Sequence, residues 1–466
     1  MAIRILFFAL FFLLVPISCD FGDINQDPTR QLGAELKELL PVALAQSARN
    51  IASIGGRVTG TVVQHLKGID AQPEGYSQYL IDERTLDEFW RNGLYAGAMK
   101  DCRDIMEQAE REGEPYYGGI ARILMAFNLG LATSCWGDVP YSQAFRGLAE
   151  LQPAFDRQEE VYLSIQELLE EAITALEGPP SGEGPQEDDL VFRGDAAKWA
   201  ATARALQARY HLHLSKRDPD AAQKALDAIQ KGAFQTMEGQ PDFPFGSSLN
   251  EANPLPLYGF ERSGQLALGD FLLELMEGAN DPRLSRYMAR GNGIAMIFSP
   301  DSLQLYWGQF DAPIPFISLT ELKFIEAEAW LLLGQPETAE RNFREAVEAN
   351  FLQLEIEPEE YNDFIDTHIH FRGVPGPEEQ LQRLITQKYI ALFAQAPVEA
   401  WVDLRRTGFP ALNPPPFANP SFNPSRAIPR RYLYPVSERT SNAANLEAAI
   451  QRQGGHLLDV GLWAFE

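Results

Sequence analysis

Apolar residues recur every three to four positions through most of this chain, and Gly and Pro interrupt the recurrence at intervals. That spacing stacks side chains on one face of an α-helix. It predicts helices over 41–54, 86–109, 117–134, 158–176, 196–214, 219–231, 319–333, 336–350, 378–394 and 441–451. Pro41, Pro219 and Pro336 fall at first-turn positions, where a missing N–H costs least, and Asp218 is placed to cap the helix that Pro219 begins. Strand-like alternation is scarce. The stretches 178–189, 240–264, 291–315 and 411–430 are rich in turn residues, and long loops of this kind on a helical frame tend to carry function. The expectation is a mostly α protein with one large domain over 31–466 and an elaborate loop face.

One helix pair has an internal grammar. Gly334-x4-Ala339-x3-Phe343-x2-Ala346, preceded by Ala327 and Trp330, is the small/aromatic spacing of a tetratricopeptide unit. Small Ala327 and Ala339 allow close approach, and Trp330, Phe343 and Ala346 are expected to fill the seam. Phe351 stands where the repeat usually ends in Pro, and Ala221, Ala225 and Ala228 repeat the spacing weakly. An unrelated antiparallel helix pair would use similar residues.

The N-terminus adds a different signal. One cation, Arg4, precedes an unbroken apolar run from Ile5 to Val15, and Cys19 follows closely. The run is shorter than the ~20 helical residues that span a bilayer core. It fits a signal peptide over 1–18, with Cys19 as the site of lipidation and 19–30 as a tether. An ordinary signal peptide with Cys19 a plain thiol is the alternative. Acids outnumber Lys and Arg by 65 to 39, a net charge of −26, which repels phosphate backbones and excludes nucleic acid as a partner. Cys102 and Cys135 are expected to be buried free thiols, being too few for a disulfide framework.

Several segments together resemble the SusD/RagB family of nutrient-binding outer-membrane lipoproteins. They are Phe21-Gly22-Asp23-Ile24-Asn25-Gln26-Asp27-Pro28 and Trp136-Gly137-Asp138-Val139-Pro140-Tyr141. Then come Glu321-Leu322-Lys323-Phe324-Ile325-Glu326-Ala327-Glu328-Ala329 and Gln387-Lys388-Tyr389. The series closes with Glu399-Ala400-Trp401-Val402-Asp403-Leu404-Arg405-Arg406 and Arg430-Arg431-Tyr432-Leu433-Tyr434-Pro435. The resemblance implies tetratricopeptide-like helices supporting a loop-rich ligand face. It implies a non-enzymatic lipoprotein, held to the outer membrane and facing the exterior. Its ligand would be an oligosaccharide or a peptide, and its partner a SusC-like TonB-dependent transporter. A surface-anchored glycoside or peptide hydrolase, or a tetratricopeptide-like interaction scaffold, are the other readings.

The motif residues themselves read as structure. Trp136 is expected to anchor its turn to a helix end, with Gly137 supplying permissive backbone angles and Asp138 bonding nearby N–H groups. Glu399 and Asp403 share a helix face, which suggests a glycosidase carboxylate pair, but Asp403 and Arg406 are spaced to pair, and structural ion pairing is the expectation. Trp401 is expected to pack inward. His211 and His213 point apart, and His368 and His370 lack a third ligand, so neither metal nor cofactor is expected. Sugar binding calls for aromatic plates edged by polar groups. The loop aromatics Tyr306, Trp307 and Phe310 with Gln309 are the first candidates, flanked by Asn292, Asp301 and Gln304. Tyr76 and Tyr79 with Trp90 and Asn92 are the second, and Tyr116 with Tyr117 a third.

Overall fold

Leu36, Leu40, Ala43, Leu44, Ala48 and Ile51 return to one face at helical spacing, and all are buried along α1 (Leu36–Ala52). The structure is a computed structural model that describes residues 34–291, 294–298 and 305–466. The signal segment, Cys19 and the tether lie outside these residues, as do Asn292, Asp301 and Gln304. Pro41 sits inside α1 rather than at its first turn, because burying Leu36 and Leu40 extends the helix back across it.

After α1 come α2 (Ile54–Val62) and α3 (Ala71–Ser77). The expected single helix over 86–109 is broken at Gly97, which separates a π-helical stretch, Phe89–Ala98, from α4 (Met99–Glu112). A Cβ at Gly97 would lie 2.2 Å from the Asn92 carbonyl oxygen, so the break needs glycine. Successive neighbours α5 (Pro115–Trp136), α6 (Gln158–Glu177), α7 (Ala196–His213) and α8 (Ala221–Gln230) pack as hairpins. Asp218 does not cap α8: it accepts from the Asp220 N–H at 2.9 Å and holds Lys224 at 2.6 Å, shaping the turn ahead of the helix.

Two loops expected from their turn residues contain short elements. They hold β2 (Asp242–Phe243), α9 (Pro254–Glu261), β5 (Ile294–Met296) and β6 (Ile314–Pro315), while β1 (Leu66–Gly68), β3 (Leu266–Leu268) and β4 (Ala289–Gly291) lie outside them or at their edge. Four pair antiparallel in the order β1-β3-β5-β4, with Leu66 opposite Leu268, and β2 pairs with β6. Helices α10 (Asp270–Gly278) and α11 (Leu284–Tyr287) lie between the strands.

In the tetratricopeptide-like pair, α12 (Leu319–Leu332) packs on α13 (Pro336–Gln353), and Ala327, Ala339, Phe343, Ala346 and Phe351 are all fully buried. Trp330 is the exception. It is only half-buried, packing over Ala222 and Leu226 of α8 as well as against the main core. Helices α14 (Pro358–His368), α15 (Pro377–Ala391), α16 (Pro397–Thr407), α17 (Val436–Ser441) and α18 (Ala443–Arg452) complete the frame.

A buried ion network joins α7, α12, α15 and α16. Arg209 donates to both oxygens of Glu321 at 2.6 and 2.7 Å, and His213 meets Glu399 at 2.7 Å. Asp403 pairs with Lys388 at 2.8 Å and Arg406 at 2.6 Å, and Arg406 also pairs with Glu328. Burial alone would raise Glu399, but Arg209 and His213 outweigh it and hold the carboxylate at about 2. Glu399 and Asp403 are therefore structural partners of cations, as the spacing of Asp403 and Arg406 implied.

Trp136 is fully buried, its indole donating to the Leu433 carbonyl at 2.9 Å, and Gly137 takes φ +84°. Asp138 reaches farther than its immediate neighbours: it accepts from the Gln158 N–H at 2.9 Å, where α6 begins. Trp401 is also buried. Cys102 and Cys135 are buried free thiols, and burial pushes Cys135 up to about 12.

Candidate functional site

Glycine is a poor helix former, yet α2 carries Gly55, Gly56 and Gly60. Packing decides in favour of the helix: a Cβ on Gly55 would sit 2.9 Å from the Phe89 ring, and one on Gly60 3.0 Å from Leu66. The same helix presents Arg57, whose guanidinium carbon lies 4.0 Å from the centroid of the Tyr258 ring on α9. Tyr76 of α3 is close enough that the two groups shift one another's titration. Burial lowers Arg57 and raises Tyr76, with their mutual attraction opposing both. Among the described residues, no carboxylate shares the Arg57 guanidinium. The Tyr258 hydroxyl donates to Gln265 at 2.7 Å.

Helix α9 also reaches the other sequence cluster. Asn253 caps it, accepting from the Leu255 N–H at 3.0 Å, while its own N–H donates to the Phe310 carbonyl at 2.7 Å. The Asn253 amide adds a bond to the Ala312 carbonyl at 2.9 Å. Phe260 then meets Phe310 edge to face, with centroids 5.3 Å apart. Gly259, between the two rings, permits this placement, since a Cβ there would lie 1.8 Å from the Phe298 carbonyl oxygen. Tyr258 thus goes to the Tyr76 cluster and Phe260 to the Phe310 cluster.

The candidates divide on burial. Phe310 and Tyr306 are half-buried and Gln309 is exposed. Trp307 is only 2% exposed, edge-on to Tyr306 at 4.8 Å, and its indole N–H finds no partner among the described residues. Trp90, also 2% exposed, donates to Glu438 at 3.1 Å and packs on Trp136, so it belongs to the core and offers no face to a ligand. Asn92 bonds Glu88 at 2.8 Å on the surface. Tyr79 turns away from Tyr76 toward a separate cleft. Tyr116 and Tyr117 hold the 178–189 loop through Gly178 and Asp188. Sequence reasoning missed Arg57, Tyr258 and Phe260. The available signal was Arg57 itself, the one charged residue between Ile51 and Leu66.

The arrangement suits reversible binding: flat rings offer apolar plates, and the guanidinium offers donors at their edge. A family profile described as starch-binding and associating with the outer membrane matches residues 32–435. The chain belongs to the SusD/RagB family. Solved structures agree on the SusD/RagB fold. A chitin-binding protein is 23% identical, with TM-score 0.77 over 93% of this chain and 100% of its own. A SusD/RagB-family protein from Bacteroides thetaiotaomicron is 24% identical, with TM-score 0.76 over 93% and 99%. A SusD homologue from Bacteroides fragilis is 20% identical, with TM-score 0.75 over 93% and 100%. No curated protein matches. The helical frame is shared with these SusD/RagB structures.

Proposed function

We infer that this protein is a lipid-anchored binding protein on the cell exterior. It captures oligosaccharide without turning it over and delivers it to a SusC-like TonB-dependent transporter. The signal run ending at Cys19 supports the anchor, and family membership supports outer-membrane association. The observation that carries the binding role is Arg57 lying against Tyr258 beside Tyr76, joined through α9 to Phe260 and Phe310. Rings of this kind cover the C–H faces of sugars, while Arg57, Gln265 and Gln309 lie where hydroxyls need partners.

Two measurements test the reading. Tyr258→Ala is expected to weaken binding to a polysaccharide ligand about tenfold with an unchanged melting temperature, the loss of one ring contact being worth ~1 kcal/mol or more. Purification of the lipidated protein from gently solubilised outer membranes is expected to bring down a TonB-dependent barrel in near-equal amount. A folded, lipidated protein that arrives without a barrel, or that hydrolyses its ligand, would overturn the import role.

A further inference from the structure

Away from Arg57 and Tyr258, a cleft of about 350 Å³ opens between β1, the start of α10 and the segment 413–416. That volume lies at the lower end of small-ligand pockets, roughly 300–1,000 Å³. Tyr79 lines it at 2% exposure, and its hydroxyl lies beside Gln64 without a hydrogen bond of ordinary geometry. A buried hydroxyl is normally satisfied, so an unpaired one in the wall of a cleft marks a place for a ligand atom.

The backbone points the same way. Gln64 and Tyr79 both line the cleft, and both adopt left-handed angles, φ +59° and +57°. Side chains other than glycine seldom take that conformation, and such strain gathers where a side chain must be aimed. The opposite wall is held in position: the Gln64 amide donates to the Asn413 carbonyl at 2.6 Å, and the Asn419 N–H donates to the Gln78 carbonyl at 2.9 Å. Pro414 to Pro416 stiffen that wall, and the next residue, Phe417, is 80% exposed. Lys67 and Asp270 form a 2.7 Å ion pair on the cleft lining, both open to solvent.

We propose that this cleft is a second saccharide site, taking the terminal one or two residues of an oligosaccharide. Phe271 and the prolines meet the C–H faces, the Tyr79 hydroxyl and the Lys67–Asp270 pair meet ring hydroxyls, and Phe417 extends the platform outward. The proposal rests on the oligosaccharide reading above. Burial raises the Tyr79 phenol to about 12, so it stays protonated and able to donate throughout the physiological range.

The test titrates the full-length protein calorimetrically with maltotriose, cellotriose and N,N′-diacetylchitobiose. Variants are Tyr79→Phe, which removes only the hydroxyl, Phe417→Ala on the surface, and Tyr258→Ala at the other site. The expected result is two sites on the unmodified protein for whichever probe binds. Tyr79→Phe and Phe417→Ala should each weaken one site by about tenfold, a hydrogen bond or ring contact being worth ~1 kcal/mol, and Tyr258→Ala only the other. Melting curves confirm that each variant is folded. If one site is found, lost in Tyr258→Ala and untouched in the cleft variants, the second site is refuted and the binding role stands. If no probe binds the unmodified protein, the oligosaccharide reading falls and the cleft with it.

Discussion

His65 is 1% exposed, donates from Nε2 to the Tyr389 carbonyl at 2.8 Å and leaves Nδ1 without a partner among the described residues. Burial removes the water that would solvate an imidazolium, and the pKa falls to about 3 although the carbonyl bond opposes the shift. Because the folded value lies below the unfolded one, the unfolded chain takes up the proton first. Stability is unaffected above pH 6.5 and falls as the pH drops toward 3, by about 1.4 kcal/mol per unit for this one group. Between pH 6.5 and 4.5 the unmodified protein should therefore lose about 2 kcal/mol more than His65→Gln, read from urea unfolding at both pH values. Equal losses would mean that the ring is already charged or solvated in the fold. Such residues are hard to read in a sequence, where His65 is one polar side chain after a Gly-rich run. Arg57 and Tyr258 share the problem: they meet across roughly two hundred residues, through two helices too short or too rich in glycine to announce themselves. Tyr76 and Phe310 were legible as candidates because they stand among other loop aromatics, whereas the burial that removes Trp90 and Trp307 depends on tertiary neighbours.

At the scale of elements, three of the long periodic helices were legible to within a residue or two. The predicted 158–176, 196–214 and 319–333 correspond to Gln158–Glu177, Ala196–His213 and Leu319–Leu332. Strands of two or three residues are too short to display alternation, and α2 forms against its own propensity because its glycines let neighbours approach. The same close approach makes α9 sensitive. Gly259→Ala should cost about 1–3 kcal/mol through overpacking against Phe298, and it should also weaken glycan binding by displacing Tyr258 and Phe260. Alanine at this position with unchanged stability and affinity would show that the helix has room to move. The ion network has a different signature. Glu328→Gln leaves Arg406 buried with half its pairing and should cost about 3–5 kcal/mol, whereas replacing both residues with Leu and Met should cost much less. Denaturation midpoints of the single and double variants decide between pairing and mere space-filling.

At the scale of the molecule, the segment 429–434 ties distant parts of the chain together. The Trp401 indole donates to the Pro429 carbonyl at 2.8 Å, and Arg405 donates to the Arg430 carbonyl at 3.1 Å. The Tyr432 N–H bonds the Cys135 carbonyl at 2.9 Å, and its hydroxyl meets Thr59 at 2.8 Å. The Tyr434 hydroxyl donates to the Asp138 carbonyl at 2.7 Å. Its ring joins Trp90 and Phe155 edge to face. A chain ending at residue 428 would leave Trp90, Trp136 and Trp401 facing water on one side. It should lose the near-ultraviolet circular dichroism of packed aromatics and bind a hydrophobic dye, while much of its helix signal remains.

The threading of 429–434 through the first helices also sets an order in time. A polypeptide leaving the ribosome from its N-terminus makes Thr59, Cys135 and Trp136 long before their partners exist. The aromatic centre cannot close until Tyr434 has been synthesised. Until then Trp90, Trp136 and Trp401 should lack this cover, and contacts this far apart in sequence form slowly. That delay matches the needs of the exported lipoprotein proposed above, whose chain would cross a membrane before the last stitch is drawn.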